Sequence, residues 1–338
     1  SACRLAAAPE TMSQPSAPTL RHRLEYAAFR AAEALIRPLP WRAALALGAV
    51  LGHAYRLLDA RHRRVVRENL RASDLGLSEA EVRRVSRACF AHFGSLLFAT
   101  VRMLRMPEDR LRSLVEFEGL EYFDAARAEG KGVIGLTGHF GNWELMALAL
   151  SLEGRTLAVI GRELDNPLLE PYLSGLRGRF GNTVIPKAGA MRGTLKVLRQ
   201  GRAVGFLLDQ DALGNGVFTR FHGRWASTHP TAGILAAKYD LPIVPIFNRI
   251  HPDGRLTVVI HPPFHAPSSG DGERDAWIAT QMMTRCIEAE GRRDPARWFW
   301  MHRRFKTRPV PDGLPVGEWQ ETASALWTVY ARAGNFGA

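Results

Sequence analysis

The stretch Gly132-Val133-Ile134-Gly135-Leu136-Thr137-Gly138-His139-Phe140-Gly141-Asn142-Trp143-Glu144-Leu145-Met146-Ala147-Leu148 changes its pattern halfway. Its first six residues are a short apolar run, the mark of a buried strand. From 143 to 152 the chain is apolar and long enough for a helix. Gly138 and Gly141 punctuate the junction and supply backbone freedom there. Asn142 stands where a helix N-cap is expected. A strand that turns on glycines straight into a helix is the opening of a βα unit.

The same alternation continues on both sides. Upstream, residues 115–118 read as a strand and 120–128 as a helix ended by Gly130. Downstream, strands are expected over 156–160, 183–185, 203–208 and 243–249. Residues 256–260 form a partner strand after the turn Pro252-Asp253-Gly254. Helices are expected over 167–180, 193–200, 231–239 and 274–291. Strands interleaved with helices predict an α/β fold with a largely parallel central sheet and flanking helices. No repeat or strong linker divides residues 107–310, which are taken as one domain, with 311–338 as a C-terminal tail.

Ahead of that domain, residues 21–106 carry a helical pattern without strand-like alternation. Helices are expected over 24–36, which Pro38 and Pro40 close, and over 41–58. The uncharged part of the second, 43–55, is 13 residues long, short of the roughly 18–20 that cross a bilayer unaided. Arg42 and Arg56 flank it with Trp41 and Tyr55, as snorkelling cations and interfacial aromatics would. A short span and a helix lying in the interface both fit. The basic run Arg56, Arg61, Arg63, Arg64, Arg67 and Arg71 follows, a patch for anionic headgroups or a solvated helix face. Ser78 and Glu81 form a capping-box pair that opens a third helix running to Met103. This segment is read as membrane-associating, and residues 1–20, rich in Ala, Pro, Ser and Thr, as a disordered N-terminus. They make no convincing signal peptide, and Met12 is an alternative start.

Composition narrows the classes. With 46% hydrophobic and 23% charged residues the chain is globular. The 45 Lys plus Arg against 33 Asp plus Glu, a net of +12, favour an anionic partner. No aromatic-interleaved basic strand or helix-turn-helix signature points to nucleic acid. Cys3, Cys89 and Cys286 are scattered and odd in number, which fits a reducing compartment. There is no GxSxG elbow, no P-loop, no GxGxxG after a strand and no HExxH.

Ligands in open α/β sheets gather beyond the carboxyl ends of strands, which places His139 well. Glu144 follows five residues later. In one regular helix the two would sit about 140° apart around the axis, so they meet only across a strand–turn–helix junction. Glu144 would then accept a hydrogen bond from one imidazole nitrogen while the other takes a proton from an acceptor hydroxyl, whose oxygen attacks an activated acyl carbonyl. The spacing alone has no specificity. With 11 histidines and 33 acidic residues, about one His-x4-acid is expected by chance, and there is one. Arg177 fits a substrate phosphate, an oxyanion-side charge or a helix-surface cation. Arg162 follows a strand end and is a second such cation. Asp209 and Asp211 follow the strand at 203–208 and either steady His139, bind an acceptor sugar or form an acidic turn. No further spacing supports a metal at that pair. His222 reads as a loop-shaping residue. Trp298, Phe299 and Trp300 read as a lipid contact or a packed cluster.

Gly138-His139-Phe140-Gly141-Asn142-Trp143-Glu144 resembles the motif of the lipid A biosynthesis acyltransferase family, within the lysophospholipid acyltransferase superfamily. Further blocks match in order. They are Asn166-Pro167-Leu168-Leu169, Leu176-Arg177-Gly178-Arg179-Phe180-Gly181-Asn182, and Gly205-Phe206-Leu207-Leu208-Asp209-Gln210-Asp211. Phe221-His222-Gly223-Arg224, Pro242-Ile243-Val244-Pro245 and the run Trp298 to Lys306 continue them, and Asn69-Leu70 also fits. The resemblance spans about residues 21–310. It implies His139 and Glu144 as the catalytic pair; Arg177, Asp209, Gln210, Asp211, Asn142 and Arg162 are taken as the substrate side. It also implies no metal and no bound cofactor, an acyl carrier protein or coenzyme A thioester as donor, and a lipid A precursor or similar anionic glycolipid as acceptor. The expected location is the cytoplasmic face of the inner membrane. A mannosylated phosphatidylinositol and a lysophospholipid are the rival acceptors. A catalytically inactive membrane-binding scaffold is the rival of another class.

Overall fold

In a computed structural model, residues 17–161, 164–187, 189–310, 314–315, 317–334 and 336 are described. Most of the stretch expected to be disordered, and Arg162 with it, lies outside them.

Nine strands and twelve helices are present among the described residues. The seven-stranded central sheet is built from β1 (Val115–Glu118), β2 (Val133–Thr137), β3 (Leu157–Gly161), β4 (Thr183–Pro186), β5 (Ala203–Leu207), β8 (Ile243–Ile250) and β9 (Leu256–Ile260). Their order is β1-β9-β8-β2-β5-β3-β4. Five strands from β8 to β4 are mutually parallel, and β9 turns back against β8, carrying β1 with it. The expected, largely parallel sheet is therefore present, with β2 near its middle. Every residue of β2 is buried, as an apolar run without alternation requires in a sheet covered on both faces. One face packs on α7 (Trp143–Leu152), the long α4 (Glu79–Met103) and α8 (Glu170–Gly178). The other packs on α9 (Ala190–Leu198), α10 (Thr231–Tyr239) and α11 (Gly272–Arg293). The short α5 (Glu108–Arg112), unread in the sequence, and α6 (Leu120–Ala128) flank β1.

The N-terminal helices follow their caps. Ser78 Oγ accepts the Glu81 N–H at 3.3 Å while Glu81 Oε2 accepts the Ser78 N–H at 2.8 Å, the expected capping box at the head of α4. α1 (Leu20–Ile36) begins four residues before its expected start because Thr19 caps it. Thr19 Oγ1 accepts the His22 N–H at 3.2 Å, and His22 Nδ1 accepts the Thr19 N–H at 3.3 Å, so a histidine fills the place of the usual Glu or Gln. α2 (Trp41–Leu58) has its expected bounds, and Asp59 both ends it and caps α3 (Ala60–Arg71). α2 lies close against α4. A Cβ on Gly48 would stand 2.6 Å from Gly94 O, and one on Gly52 would overlap Phe90 O.

Two features were not expected. A hairpin of β6 (Val217–Phe221) and β7 (Arg224–Thr228) turns on His222 and Gly223, both at positive φ (47° and 75°). Such a pair of left-handed residues matches the twist of a two-residue hairpin. And α12 (Gly317–Ala333) lies within residues read as a tail, with Ala323 and Tyr330 in the main core. Trp298 and Trp300 are fully buried, so the packed-cluster alternative holds for them and lipid contact does not. Cys89 and Cys286 are buried free thiols.

Candidate active site

His139 stands just past the end of β2, on the turn that Gly138 and Gly141 allow. Gly141 has φ +60°, and a Cβ on it would run into Asn248 Oδ1. Asn142 N–H donates to that Asn248 Oδ1 at 3.0 Å, while Asn142 Oδ1 accepts the Leu145 N–H at 3.0 Å and caps α7. The turn is fastened from a distant part of the chain. Phe299 N–H donates to His139 O at 3.1 Å and Gly141 N–H to Arg297 O at 3.0 Å. His92 on α4 adds a third tie. Burial, with the Arg297 charge, pushes its pKa down to about 3, so it stays neutral. Arg297 donates to its Nδ1 at 2.9 Å, which leaves Nε2–H to donate to Gly141 O at 3.1 Å.

The partner of His139 is not the expected one. Asp209, at the end of β5, accepts the imidazole Nδ1–H on Oδ1 at 2.8 Å and the His139 backbone N–H on Oδ2 at 2.6 Å. The same Oδ2 accepts Trp298 Nε1–H at 2.9 Å. Glu144 instead receives Arg177 on both oxygens, Nε at 3.2 Å and Nη2 at 2.6 Å. The expected Glu144–imidazole hydrogen bond is thus replaced by two pairs, His139–Asp209 and Glu144–Arg177. The physical reason is register. β2 and β5 are neighbours with Thr137 opposite Leu207, so the residues just past both strand ends meet, whereas Glu144 has already turned into α7. The alternative in which Asp209 steadies His139 is the one the geometry matches.

Electrostatics follow from this pairing. Burial lowers the His139 pKa, but the charge and hydrogen bond of Asp209, with the charge of Glu144 added, outweigh it and hold the pKa above the ordinary imidazole value. Burial raises the Asp209 carboxyl, but His139 and the hydrogen bonds it accepts leave it below the usual range. Glu144 therefore reaches the imidazole by charge. Because Nδ1 donates to Asp209, Nε2 carries the lone pair, and it lies 3.4 Å from the Gln210 side-chain amide. The Trp143 ring closes one side of the imidazole at 5.1 Å, edge-on.

Beyond Nε2 opens a cavity of about 650 Å³. His139, Trp143, Glu144, Arg177, Gln210 and Lys187 give it polar walls, and Met146, Leu157, Val159, Leu173, Leu207 and Ile246 apolar ones. Of the expected substrate-side residues, Arg177 and Gln210 line it with side chains near the imidazole. Asp211 also lines it, but its carboxylate accepts Leu213 N–H at 2.7 Å and Thr307 N–H at 2.8 Å, and its own N–H goes to His302 Nε2 at 2.9 Å. Asn142 is buried as a helix cap.

Sequence reasoning did not single out two supporting residues, His92 and Arg304. Arg304 is fully buried and donates to Gln210 O at 2.9 Å and Thr228 Oγ1 at 2.5 Å, and also to Ser227 O. Burial brings its pKa down to about 10, against the opposing charges of Asp209 and Asp211. It thereby ties the Asp209-Gln210-Asp211 loop to the β6–β7 hairpin. Its position in an aromatic-basic run was the only available signal. Elsewhere, Asp74, His222 and Glu288 are spaced as metal ligands, but the Arg292 guanidinium already bridges the two carboxylates, at 2.5 Å from Asp74 and 2.6 Å from Glu288.

Residues 14–307 match the family described as bacterial lipid A biosynthesis acyltransferase. The chain is 28% identical over 284 residues to the lipid A biosynthesis lauroyltransferase of Escherichia coli (strain K12), covering 83% of this chain and 90% of that protein. It is 27% identical over 280 residues to the lipid A biosynthesis palmitoleoyltransferase of the same strain, covering 80% and 88%. To that strain's lipid A biosynthesis myristoyltransferase it is 25% identical over 236 residues, covering 68% and 71%.

Proposed function

The chain belongs to the bacterial lipid A biosynthesis acyltransferase family and is an O-acyltransferase; from that premise we propose that it moves a fatty acyl group from a thioester to a hydroxyl of a lipid A precursor, with His139 as base. The observation that carries this reading is the His139–Asp209 pair with Nε2 open to a cavity of polar mouth and apolar depth. The donor is the thioester of acyl carrier protein or coenzyme A.

The step is acyl transfer with the nucleophile supplied by substrate. Nε2 takes the hydroxyl proton as the oxygen attacks the thioester carbonyl. The C–S bond then breaks, and the thiolate leaves with the proton from the imidazolium. Asp209 fixes the tautomer and stabilises the imidazolium, the part an aspartate plays in a serine triad. Arg177, held two-pronged by Glu144, offers its charge to an acceptor phosphate or to the developing oxyanion. Glu144 is a positioning residue in this scheme, one hydrogen bond removed from the reacting atoms.

The membrane is reached from the N-terminal helices. No helix among the described residues is long and apolar enough to cross one. α2 nevertheless leaves Leu47, Leu51 and Leu58 exposed, within about 40° of one another at 100° per residue. Beside it, Arg56 is surrounded by Arg67, Arg63 and Arg87, and burial together with their charges lowers its pKa. An apolar helix face beside an unneutralised arginine group suits an interfacial helix on anionic headgroups, at the cytoplasmic face of the inner membrane.

The test is transfer itself. Purified chain, acyl thioesters and a lipid A precursor should give acylated product. His139→Ala should lower the rate about 10³-fold or more while leaving the circular dichroism spectrum in place. A folded His139→Ala variant that still transfers at the wild-type rate would remove the mechanism.

A further inference from the structure

The cavity reaches a stretch of sheet that the chemistry at His139 does not use. In β2 and β5, Gly135 pairs with Gly205, and Val159 of β3 pairs with the same Gly205. All three line the cavity. Rows of side chains cover the sheet on either side, Val133 beside Ala203 and Thr137 beside Leu207. Two adjacent strands thus omit their side chains at the same level, and the sheet is bare there over the width of two strands.

The gap admits a methyl group at either position without a clash. A Cβ on Gly135 would meet Ile246 Cδ1 at 3.6 Å and Leu157 Cδ2 at 3.7 Å. One on Gly205 would meet Val159 Cγ1 at 3.4 Å and Leu157 Cδ1 at 4.0 Å. These are ordinary van der Waals contacts. Both glycines lie in regular strands, and neither has the positive φ that would explain a glycine. Glycine weakens a strand interior, so a backbone reason for the pair is lacking, and what it provides is room. The chemistry of that room is aliphatic: Leu157, Val159 and Ile246 ring it.

Resting on the acyltransferase reading above, we infer that the Gly135–Gly205 pair seats the methyl end of the donor's acyl chain and sets its preferred length. Gly135 is four residues back along the chain from His139, about 13 Å at roughly 3.3 Å per strand residue. A straight alkyl chain with C–C bonds of about 1.5 Å advances roughly 1.3 Å per carbon, so about ten carbons reach from the imidazole to the seat. A chain of about ten carbons spans that distance, and a methyl group added to either glycine occupies the space of its last carbon.

The experiment compares wild type with Gly135→Ala, Gly205→Ala and the double variant across octanoyl to hexadecanoyl thioesters, at matched Tm. The optimum of kcat/KM should move to shorter donors. The penalty on the longest donors should be about fourfold per methylene displaced, and octanoyl transfer should be unchanged. The Tm shift given by free dodecanoic acid provides a readout that needs no turnover. It should shrink in the double variant, while octanoic acid retains its shift. A wild-type chain that transfers nothing but shows this fatty-acid pattern keeps the seat and removes the transferase reading. A double variant with the wild-type Tm, length profile and fatty-acid shifts overturns the seat.

Discussion

An imidazole offers one basic nitrogen at a time, and here the choice is made by Asp209. With Nδ1–H donated to a carboxylate at 2.8 Å, Nε2 holds its lone pair toward the cavity. Asp209→Asn preserves shape and removes the charge, so the wrong tautomer becomes accessible. The expected loss in kcat/KM is about 10⁴-fold, of the order seen when a triad aspartate is amidated. The pH profile gives an independent reading. The proposed transfer needs the neutral imidazole, so its rate should rise with pH through the His139 pKa. Asp209 holds that pKa above the ordinary value of about 6.5, and the acid limb of wild type should lie above it. In Asp209→Asn only burial and weaker charges remain, and the limb should move to lower pH. A limb that stays in place would mean that His139 is not the titrating base. Glu144→Gln separates the second pair. It leaves the Asp209 hydrogen bond intact and loosens Arg177, so KM for a phosphorylated acceptor should rise about tenfold, with a smaller fall in kcat. Equal losses in Glu144→Gln and Asp209→Asn would instead put Glu144 on the imidazole.

The elements themselves are held by local signals of unequal visibility. α2 and α4 meet through glycines. On Gly52 the side chain of valine would enter the Phe90 carbonyl, where neither backbone yields easily. Gly52→Val should lower stability by about 1–3 kcal/mol, the usual cost of overpacking, seen as a lower denaturant midpoint. An unchanged midpoint would show that α2 is free to lift from α4. Such contacts explain what the sequence made legible. α2, α7, α10, β1 and β9 have their expected bounds because proline, asparagine, glycine or a change of period marks both ends. The capping box on Ser78 is equally local. The β6–β7 hairpin escaped because its turn uses His222 at positive φ in place of the Asn or Gly that signals such turns. α1 began early because His22 completes its cap. At the site, His139 was legible from one strand end, but its partner depended on which strand lies next to β2. The strand order sets β5 there, and 70 residues separate His139 from Asp209. No spacing rule spans that distance, so Glu144, the nearer carboxylate, took the place of Asp209.

The position of α1 connects the cavity with the outside. Tyr26 and Arg30 of α1 meet Tyr172 of α8, with the two hydroxyls 3.1 Å apart and Arg30 donating at 3.0 Å. Asn166, just ahead of α8, donates to His22 O at 3.0 Å and Glu25 Oε2 at 2.9 Å. α8 in turn supplies Leu173 and Arg177 to the cavity wall. α1 is therefore latched to the outside of the wall whose inner side carries the Arg177–Glu144 pair. Its own outer side is apolar. Leu20, Leu24 and Leu35 are 73%, 62% and 74% exposed, and at 100° per residue they fall within about 60° of one another. Three leucines held on one face, exposed among the described residues, suit an acyl-chain boundary, and the latch to α8 would bring that boundary beside the mouth. Replacing the three by serine should leave Tm nearly unchanged, since exposed positions away from packed features usually shift stability by less than about 0.5 kcal/mol. Binding to anionic vesicles should weaken at least tenfold, because each leucine withdrawn from water contributes up to about 1.5–3 kcal/mol. Transfer to an acceptor embedded in vesicles should fall in proportion, while transfer to the same acceptor dispersed in detergent should hold its wild-type rate. Equal losses in vesicles and detergent would place the fault in the α1–α8 latch. Unchanged vesicle binding would move the membrane contact off α1, to the arginines and leucines of α2 and α3.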